Sequence, residues 1–145
     1  MKKMAARDFE DIMQCIIPPL EGLFPKFNKI LLDLWFDMAH WHCLAKLRMH
    51  SSSTVTLLKE QTSELGRTTR QFAKDTEDID TYETPREERI RQKRDGKAAE
   101  GGRKRKRLNI ETPKFHAVGY YYWLVTRVGT TDSVSTQIVS LAFTF

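Results

Sequence analysis

Three of the chain's four histidines and one of its two cysteines fall within "DMAHWHCLAKLRMH", Asp37 to His50. Histidine and cysteine are the side chains that hold zinc, and histidine also carries protons near neutral pH. Their spacing is therefore the first question. Successive helical residues are about 100° apart, which sets His40 and His42 about 200° apart and keeps them from sharing one ion. His40 and Cys43 do share a side, and Leu47 and His50 continue it. From His40 to His50, however, is roughly 15 Å along a helix. A structural zinc takes four ligands. This helix offers two at once, and Cys15 and His116 complete a set only if the fold delivers them. The expectation is structural histidines, no metal and no cofactor.

Nucleophilic chemistry is not expected either. Cys43 sits among bulky side chains, where a thiol is usually inert. "EGG", Glu100 to Gly102, reads as linker rather than as a phosphate-cradling loop. Most carboxylates lie in first helical turns or four positions from a basic residue, as on solvated helix faces. No catalytic residue is assigned.

The strongest polar feature is "GGRKRKRLN". Arg103, Lys104, Arg105, Lys106 and Arg107 form an unbroken cationic run behind a glycine-rich stretch. It reads either as a nuclear-localisation signal or phosphate-backbone clamp, or as a solvated charge run. Without interleaved aromatics, base stacking and sequence readout are not expected. The overall balance agrees with an anionic partner: 145 residues, formal net charge +5, pI about 9.3. Two cysteines without a C-x-x-C pair favour reduced thiols and an intracellular setting, nuclear if the run is a localisation signal. The apolar run Ile30 to Met49 is interrupted by Asp33, Asp37, His40, His42, Lys46 and Arg48, so no membrane span is expected.

The elements that must position these residues follow from periodicity. Phe9, Ile12, Met13, Ile16 and Ile17 make one helical stripe, stopped by Pro18-Pro19. A second helix runs from about Asn28, a candidate cap, to His50. It is apolar nearly all round, as a central bundle helix is. A third starts near Ser52 or Ser53, with Leu58, Thr62, Leu65, Thr69, Phe72 and Thr76 as a thin seam. It reads as a cover for the core. "TPREE" gives a capping box on Thr84, Pro85 and Glu87. The helix behind it carries one large apolar residue, Ile90, and should fray into a linker at Gly96 to Gly102. "TPKFHAVGYYYWLVTRVG" fits a helix capped by Thr112, with Phe115, Val118, Tyr122 and Val125 on one face and Gly129 at its end. A hairpin with "STQIVSLAFTF" fits its aromatic and β-branched content as well.

Taken together, "ARDFEDIMQCIIPPLEGLFP", "LLDLWFDMAHWHCLAKLRMHSSST", "TPREE", a basic spacer and "FHAVGYYYWLVTRVGTTDSVSTQ" resemble the C-terminal region of Plavaka-type transposases, from DNA transposons of mushroom-forming fungi. The resemblance covers about Ala5 to Gln137. Its most specific parts are Trp41-His42 with Ala45-Lys46-Leu47-Arg48 and His50, and Gly129-Thr130-Thr131-Asp132 with Ser135-Thr136-Gln137. It implies a helical region downstream of a metal-dependent acidic-triad core whose motifs do not occur here, so no catalytic residue carries over. It also favours helix over hairpin for residues 113–129. Relatives continue upstream of Met1 and, beyond Gln137, into a charged stretch. The resemblance thus implies a truncated fragment, with Ile138 to Phe145 an atypical tail read from an intron.

The reading is an all-α fold: a small irregular helical bundle with a protruding basic helix and a disordered linker. Residues 1–80 form a three-helix core, 81–107 the charged helix and basic linker, 108–137 a C-terminal helix and loop packed on the core, and 138–145 the tail. The expected function is non-catalytic, in assembly or nucleic-acid association, with a missing transposase core or a second copy as other partners. The rival is a stand-alone DNA- or RNA-binding adaptor acting through residues 86–107.

Overall fold

A computed structural model describes residues 6–95 and 102–130. Most of the linker expected at Gly96 to Gly102, and all of the tail expected at 138–145, lie outside the described residues. The fold is all-α, with one two-stranded addition.

The chain opens with α1, Ala6–Cys15, and a single turn, α2, Ile17–Leu20, whose first turn contains Pro18 and Pro19. The prolines start α2 rather than merely ending α1, because a first helical turn has no use for their missing N–H. A turn through Gly22, at φ +77°, leads to the 3-10 segment Pro25–Phe27 and then to α3, Asn28–Ala45. Asn28 does not cap its own helix. Its Oδ1 accepts the Gly22 N–H at 2.7 Å and ties the turn back to the start of α3.

α3 ends five residues earlier than its composition suggested, with Lys46 N–H donating to His42 O at 3.0 Å. His50 therefore lies in the loop to α4, Ser52–Asp75. The α4 cap is Ser51, one residue before the expected position. Its Oγ accepts the Thr54 N–H while Thr54 Oγ1 accepts the Ser51 N–H, a reciprocal pair at 3.3 and 2.8 Å.

α4 shares the core with α3 rather than only covering it. α4 supplies Leu58, Leu65, Thr68 and Thr69 to the buried set, while α3 supplies Leu34 and Ala45 and leaves Phe36 62% exposed. The reason lies in the threonines. Thr62 and Thr69 hydroxyls donate to Leu58 O and Leu65 O one turn back, at 2.6 and 2.7 Å. With the hydroxyl satisfied, the rest of the side chain can be buried at little polar cost. Thr68 Oγ1 donates instead to Asp37 Oδ2 at 2.6 Å, and Gln61 Nε2 donates to Asp37 Oδ1 at 3.2 Å, which fixes the register of α3 on α4.

The first helix is also less central than its stripe implied. Phe9 and Ile12 are exposed, at 59% and 38%, and α1 is tied to α3 by Glu10, which faces Lys46 Nζ at 2.9 Å.

The C-terminal region is helical but broken in two: α6, Pro113–Gly119, capped by Thr112, and α7, Tyr121–Val128, ended by Gly129 at φ +86°. Val125 joins Ala45 and Leu58 in the core, ringed by Trp41, Leu44, Val55, Tyr121 and Tyr122. Trp41 links three elements. Its Nε1 donates to Thr62 Oγ1 at 2.9 Å, and its ring meets Tyr121 edge-on at 5.0 Å. Trp41→Phe should cost about 1–2 kcal/mol in urea unfolding, because the hydrogen bond goes and the aromatic ring shrinks. A change under a few tenths would refute the three-way contact.

Between α4 and α6 lie β1, Thr81–Tyr82, α5, Pro85–Asp95, and β2, Arg105–Lys106. The capping box before α5 forms as expected: Thr84 N–H donates to Glu87 Oε2 at 2.8 Å, and Glu87 N–H to Thr84 Oγ1 at 3.3 Å. α5 presents an exposed surface, with Ile90 57% exposed.

Candidate nucleic-acid interface

The basic run is not a free tail. β1 and β2 pair antiparallel, Thr81 against Lys106 and Tyr82 against Arg105. This corrects the expectation of a basic linker: Arg103 to Arg107 lie extended along a counter-strand. Thr81 Oγ1 donates to Lys106 O at 2.6 Å, and Glu83 N–H donates to Lys104 O at 2.9 Å.

Glu83 anchors the pair. It is 5% exposed and accepts Arg91 Nε with both carboxylate oxygens, at 3.1 and 3.0 Å. Arg91 Nη2 adds a contact at 3.0 Å, and Lys104 N–H donates to Glu83 Oε2 at 3.2 Å. Arg103 Nε donates to the Glu83 carbonyl. A buried carboxylate survives only when its lone pairs are taken up in this way. The Arg91 hydrogen bonds, helped by the Lys104 N–H, hold the Glu83 carboxyl below the usual carboxylate range against its desolvation. The Thr84 N–H and hydroxyl do the same for Glu87, with Lys106 adding to the effect.

The remaining cations meet carboxylates at the surface. Arg105 Nη2 lies 3.1 Å from Asp80, Arg107 Nη1 2.9 Å from Glu77, and Lys106 Nζ 3.7 Å from Glu87. The odd-numbered arginines thus engage residues 77–83, and Lys106 turns to α5, as strand alternation requires. Among the described residues, Lys104 Nζ and the side chains of Arg89 and Lys93 have no ion-pair partner. Every residue from Gly102 to Asn109 is exposed.

No protein family, curated protein or solved structure matches the chain. What the surface can do follows from its own geometry.

The histidine stretch does not assemble a centre. Among the described residues, no three His, Cys, Asp or Glu side chains come together as a metal would require. His40 is exposed, its ring 6.0 Å from that of Phe36. His42 Nε2 lies 3.6 Å from Glu10 Oε1, and His50 Nδ1 3.3 Å from Thr54 Oγ1. Cys15 and Cys43 are both exposed, which corrects the placement of Cys43 among bulky side chains. His116 lines a shallow groove between α4 and α6 with Arg70 and Phe115. No described helix is long and apolar enough to cross a membrane.

The acidic segment flanking β1 is what the basic run alone did not reveal. Its signal was present in "EDIDTYE", Glu77 to Glu83, where four of seven residues are acidic and could balance a dense basic run.

Proposed function

We propose that the chain is a non-catalytic helical part of a transposon-derived protein that associates with nucleic acid in the nucleus through its basic run. One observation carries the nucleic-acid reading: Arg103 to Arg107 are exposed along the β2 strand, and the Lys104 ammonium among them has no ion-pair partner among the described residues. Phosphate oxygens are the natural partners of such a surface, and contacts of this kind position a protein on nucleic acid without reading sequence. The transposon origin rests on the resemblance to Plavaka-type transposases. A second reading, self-association or docking on a transposase core, draws on the exposed Phe9, Ile12, Leu23, Phe24 and Phe36. Sedimentation at rising concentration tests the self-association half of it.

The test of the first reading is fluorescence anisotropy with a labelled duplex over a range of salt. Affinity should lie in the non-specific range, about 10⁻⁴ to 10⁻⁶ M at physiological salt. Changing all five of Arg103 to Arg107 to glutamine should weaken binding at least about tenfold. The slope of log affinity against log salt should flatten by about 0.9 for each phosphate no longer neutralised. An unchanged slope would overturn the reading.

A further inference from the structure

We infer that three surface carboxylates around the β1–β2 pair are a built-in cover for the phosphate-binding face: Glu77, Asp80 and Glu87 occupy the positions that nucleic-acid phosphates would take on Arg107, Arg105 and Lys106. This rests on the reading of the basic run as a phosphate contact and adds how that contact is regulated.

Two kinds of carboxylate hold the run, and they act differently. Glu83 is buried, forked by Arg91 and bonded to the backbone of Lys104, so it fixes where the strand lies. Glu77, Asp80 and Glu87 are exposed, with side chains 57%, 69% and 49% accessible, and each meets one cation of the run. Exposed pairs are weak and salt-screened. They can be exchanged for another anion without disturbing the anchor. The strand pairing keeps the cations at regular intervals while the surface carboxylates leave, which is the behaviour of a two-state cover rather than of a folding contact. A duplex presents one negative charge per roughly 1.7 Å of its axis and wins this exchange through multiplicity and counterion release, most readily at low salt.

The experiment compares three full-length proteins binding one labelled duplex: wild type, E77Q/D80N/E87Q, and the equal-charge control D11N/E21Q/E60Q. The amide at position 87 keeps an acceptor for the Thr84 cap, and far-UV circular dichroism checks that all three retain their helix content. The cover variant should bind about tenfold tighter than wild type, with a steeper salt slope. The control should gain only the smaller, general effect of three added net charges. In wild type, amide exchange at Glu83 and Lys104 should stay protected on saturation with duplex, since the anchor is not displaced. Equal gains in the two triples, or loss of Lys104 protection on binding, would overturn the cover. Binding that is unchanged when Arg103 to Arg107 are all glutamine would instead remove the reading beneath it, and the cover with it.

Discussion

Leu58→Ala should lower the folding free energy by about 2–5 kcal/mol, the cost of deleting a fully buried leucine and leaving a partly collapsed cavity. Leu58 is wholly inaccessible and sits where α3, α4 and α7 meet, against Ala45 and Val125. The buried apolar set among the described residues is small: Leu34, Ala45, Leu58, Leu65 and Val125. Domains of this size are typically stable by only about 5–15 kcal/mol, so one such loss is a large share of the total. Urea unfolding followed by circular dichroism gives the value. Leu57→Ala is the neighbouring control. Leu57 is 48% exposed, and its truncation should cost less than about 0.5 kcal/mol. Similar losses at both positions would mean that α4 presents a different face to the core.

Glu83→Gln should release the β1–β2 pair while leaving α3 and α4 folded. Glutamine keeps the shape but removes the charge that takes up Arg91, so a largely buried guanidinium is left beside a neutral amide. Amide exchange at Glu83 and Lys104 should speed up by about tenfold or more, with the helical signal almost unchanged. Arg91→Lys should not restore it, because an ammonium cannot supply the planar fork. Glu83→Gln combined with Arg91→Met should be milder than Glu83→Gln alone, since the guanidinium that had faced the Glu83 charge is removed with it. Acid should reproduce the single change. The folded-state Glu83 pKa is held down, so its stabilising contribution is complete above the unfolded carboxylate value, about 4.3, and is lost as pH falls through the lower folded value. Exchange protection at Lys104 that is indifferent to pH between neutral and strongly acidic would contradict the anchor.

The helices were largely legible because their signals are local. The Thr84–Glu87 box, the Thr112 cap and the Gly129 stop each act within one turn and appear where the residues put them. Burial was less legible, because it depends on what lies across the interface. α3 looked central from hydropathy alone, yet its apolar girth exceeds what α4 and α7 can cover, and Phe36 stays at the surface. α4 looked peripheral because a threonine seam reads as polar. The back-bonded hydroxyls that make it buriable are a property of the formed helix. The basic run was found by composition, but its state was not. Glu83 and Lys104 are 21 positions apart, and no periodicity links them. Gly119-Tyr120 also broke what the pattern of Phe115, Val118, Tyr122 and Val125 had suggested as one helix.

The α3–α4 pair has a consequence for the order in which the molecule is made. The two helices are joined by the short loop Lys46 to Ser51 and pack through residues close in sequence, which meet early because little chain must be closed. On a growing chain this hairpin can assemble before Val125 has been synthesised. Until α7 arrives, Leu58 and Trp41 have no lid. The nascent hairpin therefore passes through a stage with its future core facing water, when it is most prone to associate with other chains.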